Sequence, residues 1–128
     1  MKSIEIFLNF PIMDMNRNAL WRKPENVSLE GQARMTAFWG DESWRAAAYS
    51  KQPTLFDGDA DVKRENRYIV DAFAKRLKSV AGFEYVPEPL PMRNSTNADI
   101  YYLFFASHNK VGGKIVEDIV NKYKDRTA

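Results

Sequence analysis

A run of β-forming and apolar residues, Ile4-Glu5-Ile6-Phe7-Leu8-Asn9-Phe10, stands near the first residue of the chain and stops at Pro11. Nearly continuous in apolar side chains, it reads as a strand covered on both faces, parallel to its neighbours and internal to a sheet. Such a strand needs helices on both sides, so the chain is expected to be α/β. The run gives way to the polar stretch Asp14-Met15-Asn16-Arg17-Asn18. Ligands of α/β sheets bind beyond the carboxyl ends of the strands, so this exit reads as the edge of a site.

The rest of the chain supplies the helices. Met13 to Trp21 has helix-compatible apolar spacing and is interrupted by Lys23-Pro24-Glu25-Asn26. Ser28 is a candidate N-cap for a helix through Phe38 with Gly40 as its stop, and Asp41 is a candidate N-cap for a short helix through Tyr49. Ser50 to Asp61, with Pro53 and Gly58, reads as a loop. From Val62 to Val80 the apolar residues Val62, Ile69, Phe73, Leu77 and Val80 lay one stripe along an amphipathic helix that Gly82 closes. Phe83 to Leu90 and Ile100 to Ser107 are strand candidates. Pro87, Pro89 and Pro91 assign the first of them to a sheet edge, because proline donates no ladder hydrogen bond. The Asx- and Ser-rich turn Asn94 to Asp99 makes the two an antiparallel hairpin. A last helix is expected from about Gly113 to Tyr123.

Composition narrows the function classes. At 128 residues, 45% hydrophobic and 28% charged, the chain has the make-up of one soluble, folded domain over residues 1–128. A net charge of +2, with 19 basic residues scattered among 17 acidic ones, does not by itself argue for nucleic acid. The absence of cysteine removes disulfides, thiol nucleophiles and thiolate metal sites, and no metal is expected. No apolar stretch approaches the about 20 residues of a membrane span, and the first residues lack a signal-peptide pattern, so the expected location is the cytoplasm, away from membranes.

Four motifs then carry a resemblance. Leu8-Asn9-Phe10-Pro11-Ile12-Met13-Asp14-Met15-Asn16-Arg17-Asn18, Phe38-Trp39-Gly40-Asp41-Glu42-Ser43-Trp44, Tyr85-Val86-Pro87-Glu88-Pro89-Leu90-Pro91-Met92-Arg93 and Tyr102-Leu103-Phe104-Phe105-Ala106-Ser107 resemble, in order, the carboxy-terminal half of the three-Cys-motif partner family, TcmP. The family's pattern is similar to a class I methyltransferase, Rossmann-like sheet, in which a late parallel strand is followed by a helix and an antiparallel hairpin. The resemblance implies about three strands with four to five helices here, a partial α/β domain, and Ile4 to Phe10 as the late strand. It also implies a three-Cys-motif partner that looks like a radical-SAM iron–sulfur protein, in a nucleic-acid modification or phage-related pathway. A complete member would take S-adenosylmethionine; this chain, lacking a Gly-rich loop, is expected to bind no cofactor alone.

Candidate site residues follow the strand exit and the aromatic motifs. Asn9-Phe10-Pro11-Ile12 resembles the Asn-Pro-Pro-aromatic signature of amino-methyltransferases, with Phe10 in place of the first proline. The resemblance implies that the Asn9 side chain and the Pro11 carbonyl accept hydrogen bonds from a target amine. The plain alternative is an Asn and a Pro that shape the turn. Asp14, a further catalytic candidate, forms a polar cluster with Asn16 and Arg17; Arg17 suits a phosphate or carboxylate, and the alternative is an Asp-Arg pair that orients the following helix. Trp21, Trp39 and Trp44 are candidate stacking platforms for a nucleobase, against the commoner role of such residues in a core. Arg93, at a strand end, is a candidate anion contact, and His108, without a recognisable partner, is expected in a loop.

Three functions are compatible with these features: a binding module whose sheet and site a second polypeptide completes, a methyltransferase-like enzyme on nucleic acid for which this chain supplies the substrate side, and an inactive prophage-type remnant. An unpaired hydrophobic strand edge is normally covered, so a dimer, another homo-oligomer or a hetero-complex is expected.

Overall fold

The computed structural model describes residues 5–55, 58–109, 114, 118, 121 and 122. Among them the chain forms β1 (Glu5–Phe10), α1 (Ile12–Asn18), a 3₁₀ turn (Pro24–Asn26), α2 (Leu29–Trp39), α3 (Trp44–Ala48), β2 (Tyr49–Pro53), β3 (Asp59–Lys63), α4 (Asn66–Ser79), β4 (Leu90–Arg93) and β5 (Asp99–Ser107). The architecture is mixed α/β. It divides into two compact units, Met1–Ile12 with Val70–Ala128, and Met13–Ile69.

The first unit holds a three-stranded antiparallel sheet in the order β1-β5-β4. Strand β5 is central because its sequence, Tyr101-Tyr102-Leu103-Phe104-Phe105-Ala106, supplies apolar side chains to both faces; Tyr102, Phe104, Phe105 and Ala106 are all buried. Strand β1 runs antiparallel to it, from Glu5 opposite Ser107 to Phe10 opposite Tyr102. The expectation of a parallel, internal, two-sided strand is therefore corrected: among the described residues β1 has one strand neighbour, its direction is set by the return of the β4–β5 hairpin, and its side chains alternate in burial. Phe7 lies 66% exposed whereas Phe10 is fully buried.

Phe10 meets Phe73 of α4 and Phe104 of β5, with ring centroids 5.1 and 5.6 Å away, and Phe73 and Phe104 stand edge to face at 5.3 Å. Fully burying one such side chain stabilises the fold by about 1.5–3 kcal/mol, so this trio is the centre of the unit's core. Helix α4 ends where the sequence stops it. Gly82 takes the left-handed conformation, φ 80°, and the Phe83 N–H donates across it to the Leu77 carbonyl at 3.0 Å, satisfying an orphan acceptor of the last turn. The helix is shorter than its stripe, since Val62 pairs with Ser50 in a strand and Val80 is exposed.

The hairpin forms as expected but starts later. Residues Phe83 to Pro89 make only one bridge, Tyr85 to Ser107, and the ladder opens at Leu90 once Pro87 and Pro89 have passed. Its turn is Asx chemistry: the Asn94 side-chain oxygen accepts the N–H groups of Thr96 and Ala98, each at 3.0 Å, and Asn97 adopts φ 63°. The expected last helix lies largely outside the described residues; Lys114, Asp118, Asn121 and Lys122 are helical.

In the second unit, Ser28 caps α2 by accepting the Gly31 N–H at 3.0 Å, and Gly40 ends it at φ 108°. Asp41 does not cap α3, whose N-cap is Ser43; the Asp41 carboxylate accepts the Ser43 N–H at 2.8 Å in an Asx turn one step earlier. The predicted loop from Ser50 to Asp61 is corrected to a hairpin, β2 and β3, forming a two-stranded antiparallel sheet. Its strands, Tyr49-Ser50-Lys51-Gln52-Pro53 and Asp59-Ala60-Asp61-Val62-Lys63, are mostly exposed, so no apolar alternation announced them. Among the described residues no helix is long and apolar enough to cross a membrane.

Candidate functional site

The residues expected at the strand exit are held by local bonds. Asn9 is exposed on β1 opposite Leu103, and Pro11 is half-buried between β1 and α1. On α1, Asp14 pairs not with Arg17 but with Asn18, whose side-chain amide donates to the Asp14 carbonyl and carboxylate at 3.1 and 2.9 Å. Arg17 is exposed, and its carbonyl accepts the indole N–H of the half-exposed Trp21. Asn16 donates to the Asn66 side-chain oxygen at 3.0 Å, while its own Oδ1 is buried without a hydrogen-bond partner. Lys63 donates to the same Asn66 oxygen at 3.3 Å and to the Arg64 carbonyl at 3.2 Å, and burial holds its ammonium pKa below the usual lysine value.

The other two tryptophans are built into packing. Trp39 and Trp44 are 5% and 1% exposed, with indole N–H groups on Ser43 and Thr36 hydroxyls at 2.9 Å. Arg93, in the sheet of the first unit, gives its Nε to Asp99 at 2.8 Å, and the Tyr102 hydroxyl donates to the other oxygen of that carboxylate at 2.8 Å. This bond, with the Asp99 charge, raises the guanidinium pKa further. His108 stacks on Phe83, ring centroids 4.5 Å apart.

What the second unit does bring together is a cleft of about 620 Å³, lined by Pro24 of the 3₁₀ turn, Arg45 of α3, Tyr49 and Lys51 of β2, Asp61 of β3 and Arg64 just beyond it. Chain geometry makes it. Helix α3 runs directly into β2, β2 returns as β3 with Lys51 opposite Asp61, and the Arg64 N–H closes the open end on the Ala48 carbonyl at 2.7 Å. Arg45 and Arg64 therefore stand at the mouth of one hairpin, although 19 positions of chain numbering separate them.

Each arginine rests on an aromatic ring. The Arg45 guanidinium lies 4.4 Å from the Trp44 ring centroid and donates to Gln32 at 2.9 Å and Glu42 at 3.3 Å. That of Arg64 lies 4.3 Å from the Tyr68 centroid, and its Nε is buried without a hydrogen-bond partner. The Tyr49 hydroxyl donates to the Trp21 carbonyl; burial first, and then the charge of Asp61, push its pKa up to about 12 against the opposing effect of Arg45, so the phenol stays a neutral donor. Arg64 and Lys51, with Arg45 ion-paired to Glu42, against the Asp61 carboxylate give the cleft a positive wall. Sequence reading missed it because Lys51 and Asp61 fell in an expected loop; the available signal was each arginine's neighbour, Trp44 beside Arg45 and Tyr68 one helical turn from Arg64.

No family model, curated protein or solved structure matches the chain. Among the described residues the left-handed glycines, Gly40, Gly58 and Gly82, stand after two helices and in a hairpin turn. Among the described residues no group of three His, Asp or Glu side chains could hold a metal ion.

Proposed function

We propose that this chain is a protein-interaction module of the three-Cys-motif partner type, built like the carboxy-terminal part of a class I methyltransferase-like sheet, in which a strand of a second polypeptide pairs with β1. The observation that carries the reading is the free edge of β1: one ladder neighbour among the described residues, with Phe7 66% exposed on the same strand. Unpaired strand N–H and C=O groups recruit another strand, and main-chain bonds then supply affinity while exposed side chains supply specificity. The order of elements supports the family reading, since a first strand, helices, α4 and an antiparallel hairpin that returns beside β1 follow the order the resemblance implies, although β1 pairs antiparallel with its neighbour.

On this reading the partner is a three-Cys-motif protein of a nucleic-acid modification pathway in the cytoplasm, and catalysis is not performed by this chain alone. Co-expression with such a partner yields a complex that survives purification, and substituting Phe7 weakens it. Calorimetry with S-adenosylmethionine separates the enzyme reading: the module gives no heat, whereas saturable heat would make the chain a methyltransferase-like enzyme with Asn9, Pro11 and Asp14 as its first residues to test.

A further inference from the structure

We infer that the cleft between the 3₁₀ turn, α3 and the β2–β3 hairpin binds a phosphate monoester of nucleotide type, with Arg64 as its anchor. Among the described residues the Arg64 guanidinium has neither a carboxylate nor a hydrogen-bonding acceptor, and its Nε is removed from solvent. The guanidinium therefore keeps donor capacity that a phosphate at the cleft wall can use. The side chain is also pre-organised: its backbone is fixed to Ala48 at 2.7 Å and its plane rests 4.3 Å from the Tyr68 centroid. A guanidinium held this way loses little freedom when its fork meets phosphate oxygens.

The other groups select the ligand. Arg45, which shares its charge with Glu42 at 3.3 Å, and Lys51 add positive charge and Asp61 subtracts one, so the lining keeps a positive balance that suits a phosphate. Asp61 accepts a hydrogen bond from a hydroxyl or amino group and repels a second phosphate, which disfavours a passing polymer backbone. Pro24, half-buried at the cleft, offers an apolar surface to a flat ring. A volume of about 620 Å³ lies inside the range of about 300–1,000 Å³ typical of small-ligand sites. Arg45 keeps its bonds to Gln32 and Glu42 and serves as a fixed wall.

The test is calorimetry on the full chain with adenosine monophosphate, adenosine and inorganic phosphate as probes. The site binds the monophosphate and phosphate but not adenosine; Arg64→Met weakens the monophosphate at least about tenfold, the loss expected of one charge-assisted bond, and Arg64→Lys restores part of it. Lys51→Gln, at an exposed position, weakens it several-fold and decides the matter if Arg64→Met fails to fold. Adenosine binding as well as its monophosphate, no heat from the monophosphate at millimolar concentration, or affinity unchanged in Lys51→Gln and in a folded Arg64→Met overturns the proposal. So does tighter binding of a single-stranded oligonucleotide that lacks a terminal phosphate.

Discussion

A methyl group placed on Gly31 would stand 2.2 Å from the carbonyl oxygen of Asn18, well inside any van der Waals contact and against backbone rather than a movable side chain. Replacing glycine by alanine in a helix normally stabilises it by up to about 1 kcal/mol. At Gly31 the sign reverses: Gly31→Ala lowers stability by about 1–3 kcal/mol, as overpacking does, measurable as a lower urea midpoint at unchanged slope. Tyr49 gives a second residue-level prediction. Its pKa rises from 10.0 to about 12 on folding, so the native state holds the phenolic proton more tightly than the unfolded chain. The resulting stability is complete below pH 10 and is lost as pH climbs toward 12. The urea midpoint therefore falls between pH 9 and pH 11, and falls less in Tyr49→Phe, which lacks the titrating group. Local chemistry of this kind was legible beforehand at Ser28, Gly40 and Gly82, because a cap or a left-handed stop depends on a few adjacent residues. The roles of Arg45 and Arg64 were not, because they arise only when a hairpin folds back.

Among the elements, legibility followed apolar content. Strand β5 and the stripe of α4 declare themselves in sequence, whereas the edge strand expected at Phe83 to Leu90 forms later, as β4 over Leu90–Arg93. The β2–β3 hairpin is nearly all polar and exposed, so period-2 alternation had no signal to offer. Strand β1 was recognised as a strand but expected to be parallel and internal, whereas it pairs antiparallel with β5, since its direction depends on where a distant hairpin returns. The edge of β1 that has no ladder neighbour among the described residues leads to an element-level prediction. Phe7 packs edge to face on Phe105 at 4.7 Å yet stays largely exposed, so Phe7→Lys removes a weak cross-strand pair while placing a charge on the pairing strand. The substitution lowers stability by no more than about 1 kcal/mol but abolishes strand-mediated association, as chemical denaturation and cross-linking side by side will read.

For the molecule as a whole, the mixed α/β class was readable from the order of strand-like and helical patterns, whereas the division into two compact units was not, because Met13–Ile69 carries its packing in helices with a polar hairpin rather than in a second apolar sheet. Composition pointed to neither nucleic acid nor membrane, and the basic cleft is a local feature that a net charge of +2 dilutes. The central claim, that β1 is completed by another polypeptide strand, is tested most directly by static light scattering of the purified chain across the micromolar range. With no other protein present a second copy takes the partner's place, so the expected mass lies above the 14.8 kDa of one chain, reaching twice that value, and returns to one chain's mass in Phe7→Lys. A single species of 14.8 kDa throughout that range in the unsubstituted protein would contradict it.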